Sequence, residues 1–577
     1  MIYAVDIQYI LFREMNIHEE LNTHQRLLQY NSETESIQNI QEFFKITGHS
    51  RDYCPKDVAT LRPRFPSEIP NYAMITSIIM RKKLSELCLS SNQFFASLVC
   101  LNPTQARAMA EACCFSDQSP LDGIYLSGWQ EASSGENTYG AMFPDQSLYP
   151  VNSVPEKIKK IKQVLMAADI VNQHRLTQKY IPKESKKMFE SINYHLPIIA
   201  DLEAGFGQEI HTYQLAKSCI ESGAACLHLE DQDGSLKKCG HMGGKVKVSV
   251  QDFKNKLKSV RLAADVLGTN TVIIGRTDAL GTKLINNASD ERDQPFLYYQ
   301  LPVQQLSMHP YIIENEIRLD AWVLDLIQSK IVEKILIGNQ SKYIILSVWV
   351  PLLDESRTSV STYTTLVNKF SSTLGCTINQ SQWLVAVLHN CQPLQTSNGF
   401  YRYNCNLESA IMVGKSIVND VDLIWFETSE PDLNEAKLFA NAIHSIHPTM
   451  QLHYNCSPSF NWKSNFEKYF GFNWESNLRE FNHELAKLGY KSQKITLFGM
   501  HVTNQSIKEW VQEFQKNHMA GYSVLQEREH SSNNQSLEHQ SFVGVDIWAH
   551  ITELCQGKGS ELVATHGDSA TMDQFKQ

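Results

Sequence analysis

The segment "LPIIADLEAGFGQEIHTYQLAKSCIESGAACLHLED", Leu196 to Asp231, decides how the chain is read. It opens on a short apolar run and passes through an acidic, glycine-bearing loop. It continues with "EIHTYQLAKSCIESG", patterned as an amphipathic helix, and ends in a second aliphatic run. Short apolar runs alternating with such helices are expected of βα units laid side by side in a parallel sheet.

The same texture extends in both directions from there. Candidate strands are "GIYLS" (123–127), "LPIIAD" (196–201), "ACLHLED" (225–231), "TVIIGRTD" (271–278), "DLIWFET" (422–428), "QLHYNCS" (451–457), "KITLFG" (494–499) and "GYSVLQERE" (521–529). Helical patterns such as "NEAKLFANAIHSI" lie between several of them. About eight strand–helix repeats predict an α/β fold built on a (β/α)8 TIM-type barrel. Residues 1–118 read as a helical N-terminal region, from the spacing in "MITSIIMRKKLSELC" and "TQARAMAEACC". The barrel is expected over 119–296 and 399–530, interrupted by an inserted accessory subdomain at 297–398. Within the insertion "LDAWVLDLIQSKIVEKIL" is helical in pattern and "KYIILSVWV" more strand-like. Residues 531–577 form a polar C-terminal tail, long enough to pack on a neighbouring subunit.

Composition narrows the function. With 42% hydrophobic and 20% charged residues the chain is globular. A net charge of −10 gives no basic footprint for nucleic acid. The first residues have no basic lead before an apolar core, so no signal peptide is expected. The run "YIILSVWVPLL" (343–353) is well short of the roughly 20 residues of a spanning helix. The chain ends in "FKQ", which is no peroxisomal tripeptide, and a cytoplasmic location is expected. The 13 cysteines show no disulfide framework. Most read as reduced, buried, small apolar residues. Cys239 stands apart because Lys237, Lys238 and His241 surround it. Positive neighbours lower a thiol's pKa and favour the thiolate.

Reactive residues gather after the candidate strands: "SGWQ", "DLEAGFG", "EDQDG…KKCGH", "GRTDA", "ETSEPD", "NCSPS" and "TLFGMH" in turn. In such a barrel the strand C-termini form one mouth, and that mouth holds the active site. Any one of these motifs could be a turn or a helix cap; seven at equivalent ends favour an enzyme. Asp201, Glu203, Glu230 and Asp231 supply hard carboxylate oxygens, suited to Mg2+ or Mn2+, unless they are merely solvated loop acids. Arg276 offers a planar fork for a substrate carboxylate, and Asn455, Ser457, Ser459 and Thr496 add neutral donors for a second. Together they point to a small polyanionic organic acid. Cys239 and His241 alone are too few ligands for a structural zinc site. An acid–base thiol on a mobile, glycine-flanked loop fits better.

Taken together these motifs resemble the isocitrate lyase family. "KKCGH" (237–241) is that family's hallmark. "YLSGWQ" (125–130), "PDQSLYPVNSVP" (144–155), "DLEAGFG" (201–207), "HLEDQ" (228–232), "GRTDA" (275–279), "ETSEPDL" (427–433), "YNCSPSFNW" (454–462) and "LQERE" (525–529) follow in family order. The insertion is similar to one carried by longer members. The resemblance implies a Mg2+-dependent lyase of the phosphoenolpyruvate mutase-like barrels, cleaving isocitrate to glyoxylate and succinate by a retro-aldol step in the glyoxylate bypass. It implies that Asp201 binds Mg2+ directly (Mn2+ being an alternative), with Asp145, Glu203 and Glu230 holding its waters. Ser127, Gly128, Trp129 and Arg276 would cradle the glyoxylate moiety. Gly240, His241, Asn455, Ser457, Ser459 and Thr496 would hold the succinate moiety. Cys239 would protonate the succinate carbanion, assisted by His241 and Glu427, while Tyr125 and the metal's water network are candidates for the base. Relatives imply a homotetramer, and the tail "ATHGDSATMDQF" (564–575) resembles a segment closing over a neighbour's site.

His453 and the stretch "GMHVTNQSIKEW" depart from the family pattern and bear on substrate preference. His453 itself reads as a packing residue at a strand end. The nearest rival is a 2-methylisocitrate lyase, since one methyl is worth only about 1–3 kcal/mol of discrimination. "KKCGH" rather than "KRCGH" favours isocitrate. A non-catalytic barrel scaffold is the other rival, and the presence of Cys239 and Asp201 speaks against it.

Overall fold

The computed structural model describes residues 33–62, 70–112, 121–177, 183–300, 392–532 and 534–556; between 300 and 392 it describes only 332–337, 340–345, 368 and 372. Eight parallel strands close into a barrel: β1 (Phe95–Val99), β2 (Gly123–Leu126), β3 (Ile198–Asp201), β4 (Cys226–Glu230), β5 (Val272–Thr277), β6 (Leu423–Phe426), β7 (Gln451–Asn455) and β8 (Ser492–Ile495). They follow one another around the barrel in chain order, and β8 closes on β1 with Phe95 opposite Ser492.

The strands are almost continuously buried because helices cover their outer face and side chains fill the inside. Alternation sorts them into two cores. Outward residues such as Ile124, Ile198, Leu227, Ile273 and Ile424 pack against the helices. Inward residues Phe95, Tyr125, Ile199, Cys226, Val272, Leu423 and Trp425 form a separate interior cluster. The helix Asn71–Cys88 crosses the N-terminal end, adding Met80, Leu84 and Leu87 to that interior cluster. The helix Val250–Leu267 is typical of the outer ring. Ser249 caps it by accepting from Asp252 N, it buries Phe253, Leu257, Val260 and Ala264, and it stops at left-handed Gly268 (φ 66°).

Eight strands were expected and eight are present, but the set differs at both ends. The region 1–118, expected to be helical, carries β1. Only Phe95, Ser97 and Val99 of "FASLV" are buried, and one of these is polar, so the period-two signal is weak. The strand expected over 521–529 lies instead in the helical segment Phe498–Ser531, after a kink at His518 (φ 51°). There Tyr522 and Val524 are exposed, and the following Gln, Glu and Arg are good helix formers. The last strand is Ser492–Ile495, and Leu497 turns the chain through the left-handed region (φ 68°) into that helix.

In the insertion, Val332–Ile337 and Gln340–Ile345 pair antiparallel and join Tyr299–Gln300 and Gln392–Pro393 in a four-stranded sheet. The end of "LDAWVLDLIQSKIVEKIL" from Val332 is therefore strand rather than helix; its earlier part lies outside the described residues. The described part of the tail packs on its own chain, where Phe542 O accepts from Arg107 Nη1 at 2.7 Å and the Phe542 ring lies under the Arg107 guanidinium. The segment 564–575 lies outside the described residues.

Candidate active site

The ends of β2 to β5 and the loops after them build a buried cluster of acids. Asp201 ends β3, Glu230 ends β4, and Glu203 and Asp145 enter from loops; all four are buried. Glu203 is a non-glycine residue in the left-handed region (φ 54°), as is Phe206 (φ 53°), so the "DLEAGFG" turn holds backbone strain at the site. Asp201 Oδ2 accepts from the Tyr125 hydroxyl at 3.0 Å and from Gly128 N at 3.1 Å, and Oδ1 accepts from Glu203 N at 2.8 Å. The Tyr149 hydroxyl donates to Glu203 Oε1 at 2.8 Å. The Lys237 ammonium pairs with Asp145 and Glu203, and stands 4.0 Å from Glu230 Oε1.

One ammonium shared by three of the four acids leaves an excess of negative charge. Burial pushes Glu203 up to about 8 despite Lys237, and pushes Glu230 well above the usual carboxylate range. Burial also opposes ionisation of Asp201, but the His228 ring 3.0 Å away and Lys237 hold it well below that range. Burial pushes His228 down to about 4 despite the Asp201 carboxylate, whose Oδ1 lies 3.0 Å from its Nδ1.

These residues fit a hard divalent cation. The donors are carboxylate oxygens, Glu230 Oε1 is buried with no hydrogen-bond partner, and a cation would offset the burial, and the smaller mutual repulsion, that lift Glu203 and Glu230. Among the described residues no three acids, histidines or cysteines converge tightly enough for a direct cage. Asp231, expected among the metal donors, lies outside the cluster as a brace: its oxygens accept from Thr277 Oγ1 at 2.8 Å and Asp278 N at 2.9 Å.

Arg276, at the end of β5, faces the acids from the other side. Its Nε lies 3.4 Å from Glu230 Oε2, and Asp278 holds it through Nε at 2.9 Å and Nη2 at 3.1 Å. Asp278 also accepts from Lys245, whose ammonium donates to Gly240 O at 2.6 Å. The Cys239 loop is thus seated on the support of Arg276. Gln232 adds two bonds to the Lys238 backbone, at 2.8 and 3.0 Å. Gly240 presses so closely on Arg276 and Glu427 that a Cβ there would overlap both. His241 Nε2 completes the seat, 3.6 Å from Glu427 Oε1.

Cys239 is half-buried, and burial, with Asp145 next, pushes its thiol up to about 11. The expected thiolate is therefore a protonated thiol. The Lys237 charge is committed to Asp145 and Glu203, and its pull on the sulfur is smaller than the cost of burial.

The neutral donors sit across the same mouth. Thr496 Oγ1, just past β8, donates to Asn455 Oδ1 at the end of β7 at 3.1 Å. Ser457 is buried and accepts from Ser459 N at 3.1 Å, while Ser459 is exposed. Ser127 is buried at the start of the helix Gly128–Ser133, and Trp129 is half-buried beside it. His453 is fully buried inside the barrel, bonded to Ser492 Oγ at 2.9 Å. The site residues not singled out from sequence include His228, Tyr149, Gln232, Lys245, Asp278 and Lys237 in its role as counter-ion. Tyr149 and Asp278 lie within the motifs "PDQSLYP" and "GRTDA", but nothing in the spacing marks them as braces.

The model of the isocitrate lyase family matches residues 33–575. The chain is 33% identical over 452 residues to the isocitrate lyase of Halalkalibacterium halodurans, covering 78% of this chain and 79% of that one. It is 30% identical over 556 residues to the isocitrate lyase of Salmonella typhimurium, covering 93% and 98%. Among solved structures it is similar to a 2,3-dimethylmalate lyase, with 12% identity and a TM-score of 0.42 over 86% of this chain and 98% of that chain.

Proposed function

The chain belongs to the isocitrate lyase family, and from that premise we propose that it cleaves isocitrate to glyoxylate and succinate, as a carbon–carbon lyase of the glyoxylate bypass. The observation that carries this reading is the acid cluster around Asp201 facing Arg276 and the seated Cys239 loop across one barrel mouth.

The family is metal-dependent, and the oxygen-only donor set favours Mg2+, with Mn2+ an acceptable substitute. Asp201 would hold the cation directly, with Asp145, Glu203 and Glu230 acting through water. When bound, the cation supplies Lewis-acid stabilisation of the developing alkoxide and carbonyl.

The chain's own residues do the rest. Ser127, Gly128, Trp129 and Arg276 hold the glyoxylate half. Gly240, His241, Asn455, Ser457, Ser459 and Thr496 hold the succinate half. The Cys239 thiol, kept protonated by burial, donates its proton to the succinate carbanion, and His241 and Glu427 position its loop. The Tyr125 hydroxyl, which donates to Asp201, and the cation's water network are the two candidates for the base at the C2 hydroxyl.

A homotetramer is the proposed assembly. It is supported by exposed apolar residues on the C-terminal helices, among them Ile507, Met519, Trp548 and Leu554, each more than half exposed. A cytoplasmic location fits the lyase role; among the described residues no helix is long and apolar enough to cross a membrane.

The test is glyoxylate release from isocitrate, and in parallel pyruvate release from 2-methylisocitrate, with Mg2+ and then with EDTA. Metal-dependent glyoxylate formation that is lost in Cys239→Ser is the expected result. A preference for the methylated substrate would move the enzyme to propionate metabolism. Silence on both would leave a barrel scaffold.

A further inference from the structure

Beneath the mouth lies a charged side chain that the reaction as described does not use. Lys494 points from β8 into the barrel interior and is 1% exposed. Its Nζ is buried and has no hydrogen-bond partner among the described residues. Two aromatic faces enclose it instead. The nitrogen lies 3.3 Å from the centre of the Tyr125 ring and 3.5 Å from the centre of the Trp425 ring.

Stability does not account for a lysine here. An amine taken out of water without an acceptor is unfavourable, and an apolar chain of similar volume would fill the space at less cost. Burial correspondingly drives the Lys494 pKa well below the ordinary lysine value. What the amine supplies, and an aliphatic chain does not, is N–H groups held against the faces of both rings, an attraction that fixes their orientation.

Both rings support groups of the proposed site. Tyr125 carries on its far end the hydroxyl that donates to Asp201 Oδ2 at 3.0 Å. Trp425 lies against the Arg276 guanidinium, 4.4 Å from ring centre to Cζ, and against the His228 ring at 4.5 Å. His228 in turn stands 3.0 Å from Asp201 Oδ1. The path from Lys494 therefore reaches the expected metal ligand by two routes and the substrate-facing arginine by one.

We propose that Lys494 is a positioning residue of the lyase site: wedged between Tyr125 and Trp425, its amine sets the two rings on which Asp201 and Arg276 rest. The role presupposes the isocitrate-cleaving reading above. Without those N–H contacts the two rings lose their fixed orientation and carry both groups with them. A displacement near 1 Å costs about 100-fold in rate at a site of this kind.

The experiment compares the full-length wild type with Lys494→Met, which keeps length and volume without the amine. Lys494→Leu serves as a second apolar replacement should the first fail to fold. Isocitrate cleavage and thermal midpoint are measured for each, and the same lysine change is repeated on Tyr125→Phe. Expected are a fall of about 100-fold in kcat/KM, a thermal midpoint equal to or above that of the wild type, and a markedly smaller effect of the lysine change on Tyr125→Phe. The proposal is overturned by kcat/KM within twofold of wild type, by the same full loss on both backgrounds, or by an activity loss that merely follows a lowered midpoint. A wild type that fails to cleave isocitrate overturns the lyase reading instead, so the two failures are distinguishable.

Discussion

His241 Nε2 stands 3.6 Å from Glu427 Oε1, tying the loop that carries Cys239 to the end of β6. Glu427 also lies 3.8 Å from Arg276, and its Oε2 is buried without a hydrogen-bond partner. Glu427→Gln keeps the shape and removes the carboxylate charge that faces both His241 and Arg276. We expect kcat to fall by roughly 100-fold, the lower end of what a positioned acid–base group contributes. Steady-state kinetics check this, and unchanged kcat would detach the pair from the reaction.

The protonated state of Cys239 is open to direct test. With its pKa raised to about 11, the thiol keeps its proton below that value and forms thiolate only as pH rises toward it. At pH 8 alkylation of Cys239 by iodoacetamide should therefore run several-fold slower than that of the exposed Cys54 and Cys555. Peptide mapping over time reads this out for each cysteine. Faster labelling at Cys239 would restore the thiolate expected from its lysine neighbours.

A divalent cation should stabilise the protein as well as activate it, because it relieves repulsion among Asp145, Asp201, Glu203 and Glu230. At a hundred times its dissociation constant a ligand adds about 2.7 kcal/mol of stability. We expect Mg2+ to raise the thermal midpoint, EDTA to reverse the rise, and Asp201→Asn to abolish it. Calorimetry without substrate measures all three.

Asp422 anchors the opposite end of the barrel. Its oxygens accept from both Arg81 Nη1 and Nη2 at 2.9 Å and from Arg261 Nη2 at 2.7 Å. Burial opposes its ionisation, but Arg81 and Arg261 hold its pKa well below the usual range. Asp422→Ala leaves two arginines without their partner and should cost about 3–5 kcal/mol at neutral pH. A depressed carboxylate stabilises fully above its unfolded pKa of about 3.9 and loses that contribution as pH falls toward the folded value. The gap between wild type and variant should therefore narrow on acidification below about pH 4, as followed by urea unfolding. A gap constant with pH would assign the anchoring to something other than this charge.

The sequence by itself determined the barrel and the roster of its mouth. Strands such as "PIIAD" and "CLHLE" are buried on both faces, so an unbroken apolar run ending in acids is legible from local pattern alone. Local pattern failed where burial is partial or propensity ambiguous, which is why β1 passed for helix and residues 521–529 for strand. It could not foresee charge partnership either, because partnership depends on which side chains meet. Only the folded chain brings Lys237 between Asp145 and Glu203, so that its charge is spent there and Cys239 remains a thiol. Only closure of β8 on β1 sets Lys494 between Tyr125 and Trp425, residues 369 and 69 positions away from it in the chain. Composition and periodicity report what each segment buries; the electrostatics of a buried site depend on distances between segments, which only the tertiary fold decides.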